Sequence, residues 1–185
     1  RLMAAQGLLG ITIPEAAGGV GGRLFDAILA IEQIAAVCPR SADVIQAGNF
    51  GAIRVLAEFG SDRHKEMYLS KLLSGDALIA IGMTEPEAGS AVTELKTTAT
   101  KDGDGYRITG SKVFTSHVTD ADMILAYVRF GPGTGGIGSV LIEREADGVS
   151  LGQPVGNLGG ETWAQLYFND VFVPSENVVL GEGGF

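Results

Sequence analysis

SDRHKEMYLSKLLSGDALIAIGM, residues 61–83, changes its hydrophobic period partway along. Up to Leu73 the apolar positions recur at helical spacing, whereas from Ala77 they run together as ALIAI, a length suited to a buried strand. Gly75 lies between the two, where a helix would stop. A helical part therefore gives way to a β part near residues 74–80.

Upstream, residues 24–37 (LFDAILAIEQIAAV) and 41–59 (SADVIQAGNFGAIRVLAEF) repeat the helical spacing, so with 61–73 about three helices are expected. Ser41 and Ser61 are the expected N-caps, and Gly60 and Gly75 the expected stops. Downstream, DALIAIGM, TELKTTATK, YRITGSKVFTS, ADMILAYVRF, IGSVLIER and AQLYFNDVFV are β-rich runs separated by DGDG, GPGTGG and ADG turns. Strands at this spacing predict an antiparallel barrel or sandwich. The expected fold class is α+β, with a helical part at residues 1–77 followed by a β domain at 78–185.

The 185 residues, 45% of them hydrophobic, suffice to bury a core in one domain or two small ones. A net charge of -9 leaves no broad basic surface for phosphates, which argues against nucleic acid and anionic membranes as partners. Cys38 is the only cysteine, so no internal disulfide can form; a reducing compartment and a packing role for Cys38 are expected. No apolar run approaches the ~18 residues of a membrane span. The start, RLMAAQGLLG, has neither an initiator Met nor a signal-peptide pattern, so the chain reads as cut from a longer one. No metal-ligand set is read in it.

GPGTGG, residues 131–136, satisfies the G-x-G-x-x-G spacing of dinucleotide-binding turns. That fingerprint requires a strand feeding a helix, and the run that follows, IGSVLIER, is strand-like. A hairpin loop is expected instead.

Two stretches carry candidate chemistry. GMTEPEAGSAV, residues 82–92, follows the ALIAI run at the helical–β junction, and its loop chemistry taken alone is that of a well-capped turn. In GSKVFTSH, residues 110–117, strand alternation puts Lys112, Phe114 and Ser116 on one face, with Val113 and Thr115 on the other. A ring to stack on and a hydroxyl at its edge suit a planar heteroaromatic ligand. A Phe in a barrel core with a Ser at the strand end fits the same stretch equally well. Lys112 is expected to be a snorkelling or paired surface cation, His64 to lie on a solvated helix face, and His117 to be a turn residue. Trp163 is expected in the core, or covering a pocket.

Together these stretches resemble the acyl-CoA dehydrogenase family. VLAEFGSDRHKEMYLSKLLSGDALIAIGMTEPEAGSAV resembles the family's last amino-terminal helices, the first strand of its middle β domain and its T-E-P-x-A-G-S flavin loop. YRITGSKVFTSHVTDADMILAYV resembles the second flavin segment, LYFNDVFVPSENVVLGEGGF the closing F-x-D-V-x-V-P-x-x-N-x-L-G motif, and ITIPEAAGGVGG the loop before the helices continue.

The resemblance implies FAD as cofactor, with Ile81, Met83 and Thr84 along the flavin ring and the Thr84 hydroxyl at its pyrimidine edge. Phe114 takes the place of a ring-stacking aromatic, commonly Trp, and Ser116 that of a hydroxyl near the reactive nitrogen, commonly Thr. Thr115 joins these cofactor contacts. Gly89 and Ser90 come where the FAD pyrophosphate and the thioester arm approach each other, and Ser90 and Thr134 are the implied substrate contacts. Glu87, Ala91 and His117 depart from the usual Gly, Asp and Asn.

The implied reaction is α,β-desaturation of an acyl-CoA, with hydride passing to the flavin and then to electron-transfer flavoprotein or another acceptor. The family's base is a Glu in a carboxy-terminal helical domain, so no catalytic residue is assigned within this chain. A homodimer or homotetramer is implied for the full-length protein, in the bacterial cytoplasm or the mitochondrial matrix. A flavin-dependent monooxygenase of the same fold and a non-catalytic acyl- or CoA-binding β module are the alternatives.

Overall fold

The computed structural model describes residues 1–181 and 183, and the chain divides into two compact units. One comprises Arg1–Leu78 with Leu158–Gly160, the other Ile79–Asn157 with Glu161–Phe185.

The first unit is helical. After the single turn α1 (Leu2–Ala5), α2 (Leu24–Ala35) forms where the spacing places it; the Asp26 carboxylate accepts from the Arg23 N–H at 2.8 Å and satisfies one of the free donors of its first turn. The continuous helix expected at 41–59 is instead two, α3 (Pro39–Ala47) and α4 (Ala52–Phe59). They part where Gly51 takes a φ of +60° and Asn49 is buried. The Asn49 amide donates to the carbonyls of Leu8 and Ile45, each at 2.8 Å, and accepts from the Thr12 N–H at 3.2 Å. A buried side chain satisfied in this way offers the backbone an alternative to further helix.

Ser41 is not the N-cap, because Pro39 takes the first helical position directly after Cys38. The Ser41 hydroxyl donates to the Cys38 thiol at 3.3 Å, and Cys38 is exposed rather than packed. Ser61 does cap. Its hydroxyl accepts from the His64 N–H at 3.2 Å, and His64 Nδ1 accepts from the Ser61 N–H at 3.2 Å. That reciprocal cap turns His64 inward, so it is buried and not on a solvated face. The helical backbone continues through α5 (Asp62–His64), a π turn at Lys65–Leu69 and α6 (Ser70–Ser74), ending at Gly75 with φ +73°.

The second unit contains β1 (Ile79–Gly82), β2 (Thr98–Asp102), β3 (Gly105–Ser116), β4 (Met123–Arg129), β5 (Ile137–Glu143), β6 (Val149–Leu151), β7 (Val155–Gly156), β8 (Thr162–Pro174) and β9 (Val178–Leu180). They form one sheet in the order β6-β8-β3-β2-β4-β5-β9, with β1 beside β4 and β7 beside β8. Most pairings are antiparallel, while β4 receives both β1 and the first residue of β2, Thr98, in parallel. No hairpin joins either strand to β4, so nothing local forces the antiparallel sense. TELKTTATK becomes strand only from Thr98, because Val92–Glu94 forms a 3-10 turn. GPGTGG closes the β4–β5 hairpin, with the Phe130 N–H donating to the Gly136 carbonyl at 2.7 Å.

Three strands separate β5 from β8 in the sheet, yet the two touch, so the sheet curls around its own core. Ile108, Val128, Val140, Ile142, Leu166 and Phe168 belong to that core. Burying each large side chain there contributes roughly 1.5–3 kcal/mol.

Candidate functional site

The site begins with a break in alternation. Lys112 lies opposite Leu166 and Thr115 opposite Ala164, so β3 takes three steps while β8 takes two. The extra residue makes a bulge in which Phe114 has φ +56°, an unfavourable region for a bulky side chain. The shared face expected for Lys112, Phe114 and Ser116 is therefore lost. Lys112 and Thr115 point inward, and Phe114 is 62% exposed. That exposure rules out the barrel-core reading of Phe114.

Trp163, opposite Ser116 at the start of β8, is half-buried and meets the Phe114 ring edge to face, centroids 4.9 Å apart. The Ser116 hydroxyl donates to Glu161 Oε1 at 2.6 Å, and Asn157 Nδ2 donates to Glu161 Oε2 at 3.1 Å. Thr115 is buried, and its hydroxyl has no hydrogen-bond partner among the described residues. His117 continues the turn with φ +59°, its N–H donating to the Thr162 carbonyl at 3.1 Å.

The loop after β1 is tied to this bulge. The Thr84 carbonyl accepts from the Val113 N–H at 2.8 Å, which brings Met83 and Thr84 beside Phe114. Lys112 Nζ donates to the Met83 carbonyl at 3.3 Å and to Glu85 Oε1 at 2.7 Å. Lys112 is thus no surface cation but half of a buried ion pair, 0% exposed against 7% for Glu85. Glu85 Oε1 also accepts from the Thr97 N–H at 2.9 Å and the Thr97 hydroxyl at 2.6 Å, and Oε2 accepts from the Lys96 N–H at 2.6 Å.

Burial pushes the Glu85 carboxyl up, but the bonds from Lys112, Thr97 and Lys96 outweigh it and hold the group below its ordinary range. Burial lowers the Lys112 ammonium, an effect that Glu85 offsets in part. Two glycines make room. A Cβ on Gly110, whose φ is +154°, would come 2.5 Å from Thr97 Oγ1, and one on Gly82 would come 3.3 Å from Lys112 Cγ.

Ile81 lies half-buried on β1, while Gly89 and Ser90 are exposed and share no hydrogen bond with Thr84, Phe114 or Ser116 among the described residues. A Cβ on Gly89 would meet nothing within 4 Å, so the backbone there is open to close approach. Thr134 is exposed on the β4–β5 turn. Sequence reasoning missed the residue that organises this side. The Arg129 guanidinium donates to the carbonyls of Thr93 at 2.6 Å, Leu95 at 2.9 Å and Gly133 at 2.6 Å, binding the segment after Ser90 to the turn that carries Thr134. A lone cation at the end of an apolar strand before GPGTGG was the available signal.

An aromatic face held outward at backbone cost, beside a half-exposed Thr and an open loop backbone, accommodates a flat heteroaromatic ligand. The nearby carboxylates are committed, Glu85 to its buried network and Glu161 to Ser116 and Asn157. Both carboxylates therefore already hold hydrogen-bond partners within the protein.

Residues 80–171 match the family model of the acyl-CoA dehydrogenase middle domain, and residues 1–76 that of the acyl-CoA dehydrogenase N-terminal domain. The chain is 34% identical over 187 residues to the short-chain specific acyl-CoA dehydrogenase of Clostridium acetobutylicum, covering 99% of this chain and 49% of that protein. Butyryl-CoA dehydrogenase from Megasphaera elsdenii has a similar structure, with a TM-score of 0.89 and 30% identity over 98% of this chain and 49% of that one. The FAD complex of PigA gives a TM-score of 0.88 at 28% identity, over 96% and 48%. The chain spans about half the length of the relatives it matches.

Proposed function

Since this chain belongs to the acyl-CoA dehydrogenase family, we propose that residues 1–77 and 78–185 are the amino-terminal helical and middle β domains of an FAD-dependent enzyme that introduces an α,β double bond into an acyl-CoA thioester. The observation that carries this reading is the bulge at Phe114, which presents a ring to solvent directly beside the anchored Met83–Thr84 backbone.

Bound FAD would supply the hydride acceptor. Phe114 stacks against its ring, Ile81 and Met83 lie along it, and the Thr84 hydroxyl and N–H meet its polar edge. Ser116 would place its hydroxyl oxygen near the reactive nitrogen, its proton held by Glu161. Thr115, with its side chain buried, contributes through its backbone. The open backbone at Gly89 admits the pyrophosphate, and Ser90 and Thr134 hold the thioester arm across the span that Arg129 fixes. Proton abstraction is assigned to a carboxylate of the longer parent protein, and electrons leave to electron-transfer flavoprotein or a comparable acceptor from a dimeric or tetrameric enzyme.

The test is anaerobic titration of the purified parent with saturated acyl-CoA thioesters. Loss of the oxidised flavin absorbance is expected. A parent with no flavin, or with flavin that no saturated acyl-CoA bleaches, contradicts the proposal.

A further inference from the structure

The Glu85–Lys112 pair is shielded from any substrate, yet Lys112 Nζ donates to the Met83 carbonyl at 3.3 Å. That carbonyl shares its peptide unit with the Thr84 N–H. A cation drawing electron density toward the carbonyl oxygen strengthens the N–H of the same unit as a donor. No described residue accepts from the Thr84 N–H, whereas the Thr84 carbonyl is already taken by Val113. An ammonium has three donors. Glu85, held by Thr97 and the Lys96 N–H, fixes this one against the Met83 peptide.

The inference rests on the reading that Thr84 meets the flavin's pyrimidine edge. Hydride transfer adds two electrons and one hydrogen to the ring, so the ring gains one negative charge unless a proton follows, while the substrate exchanges two C–H bonds for a C=C and its α-proton goes to the base. The geometry points to Lys112 as a positioning residue for that charge: anchored by Glu85, it polarises the Met83–Thr84 peptide so that the Thr84 N–H stabilises the reduced ring more than the oxidised one. Tying the loop to β3 does not by itself require an ion pair, since the Thr84–Val113 bond already does so.

The experiment compares the flavin midpoint potential and FAD dissociation constant of the full-length parent with those of Lys112→Met and of the double variant Glu85→Gln/Lys112→Met. Lys112→Met leaves a buried carboxylate uncompensated, so the double variant, which removes both charges, carries the test where the single one fails to fold. The expected result is reduced flavin bound about tenfold less tightly relative to oxidised flavin, a fall of about 30 mV for a two-electron couple. A folded double variant with stoichiometric FAD and an unchanged potential overturns the inference and leaves the proposed function intact. A wild-type parent that binds no flavin overturns both.

Discussion

Phe114 and Trp163 meet edge to face between β3 and β8, their ring planes at 64°. The left-handed backbone at Phe114 costs roughly 1–2 kcal/mol. An aromatic pair of this geometry contributes about 0.5–1.5 kcal/mol. The two terms nearly cancel, so the fold has little need of a Phe here.

Phe114→Gly should therefore change the stability to urea by less than about 1.5 kcal/mol, since Gly relieves the positive φ as the ring contact is lost. FAD affinity of the parent should fall in the same variant. Phe114→Trp should leave the melting temperature unchanged at this exposed position and deepen flavin fluorescence quenching. Undiminished FAD affinity in Phe114→Gly would count against stacking.

Thr84→Val keeps the side-chain shape and the carbonyl that accepts from Val113. Loss of the hydroxyl should weaken FAD binding by about 1 kcal/mol. Equilibrium dialysis against FAD reads this directly, and wild-type affinity would remove Thr84 from the ring's polar edge.

The ion pair makes the acid limb of stability specific. The Glu85 carboxyl is depressed in the folded state, so the unfolded chain takes up this proton first as pH falls below the ordinary value of 4.5. Its contribution is full above that value and is lost as pH falls through the lower folded value. Glu85→Gln should cost about 3–5 kcal/mol at neutral pH by stranding Lys112. It should also flatten the fall in stability below that pH. Urea melts across an acid pH series check both effects, and an acid limb of unchanged slope would show that another carboxylate controls it.

Arg129→Lys keeps the charge but loses the planar fork that reaches Thr93, Leu95 and Gly133. About 1–3 kcal/mol of stability should be lost, with faster hydrogen exchange at the Phe130 amide, which closes the turn onto Gly136. In the parent, KM for the thioester should rise while kcat holds. Equal falls in kcat and kcat/KM would place Arg129 nearer the chemistry.

The 185-residue chain by itself should not turn over any acyl-CoA with an artificial electron acceptor. Glu85 and Glu161 are both hydrogen-bonded, Glu85 to Lys112, Thr97 and the Lys96 N–H and Glu161 to Ser116 and Asn157. Turnover above that of free FAD would return Glu85, Glu87 or Glu161 to consideration as the base.

What could be read from the sequence was local. The period of α2, the Ser61 cap and the β4–β5 hairpin each depend on neighbours a few residues away, and the structure forms them as expected. The 41–59 helix is interrupted by Asn49, whose partners Leu8 and Thr12 lie 41 and 37 residues away and leave no mark on the helical period. One inserted residue after Lys112 exchanges the faces of Phe114, Thr115 and Ser116, and alternation has no term for a bulge. The burial of Lys112 has a different cause, an ion pair that leaves no mark on its neighbours. The partner of Lys112 lies 27 residues upstream in a loop. Thr84 and Phe114 could be picked out by type, but their adjacency comes from the bond between the Thr84 carbonyl and the Val113 N–H, which requires the sheet. The strands β6, β7 and β9, two or three residues each, are too short to show a period.

The parallel docking of β1 on β4 bears on the order in which the chain acquires its shape. Ile79 pairs with Met123 and Thr98 with Arg129, so both ends of the loop carrying Thr84, Gly89 and Ser90 depend on a strand synthesised after it. Closing such long-range contacts is slow compared with winding α2 or the Ser61 cap. The loop must therefore wait, loosely held, until β4 arrives. In refolding of the parent with FAD present, quenching of flavin fluorescence should lag behind the recovery of helix signal.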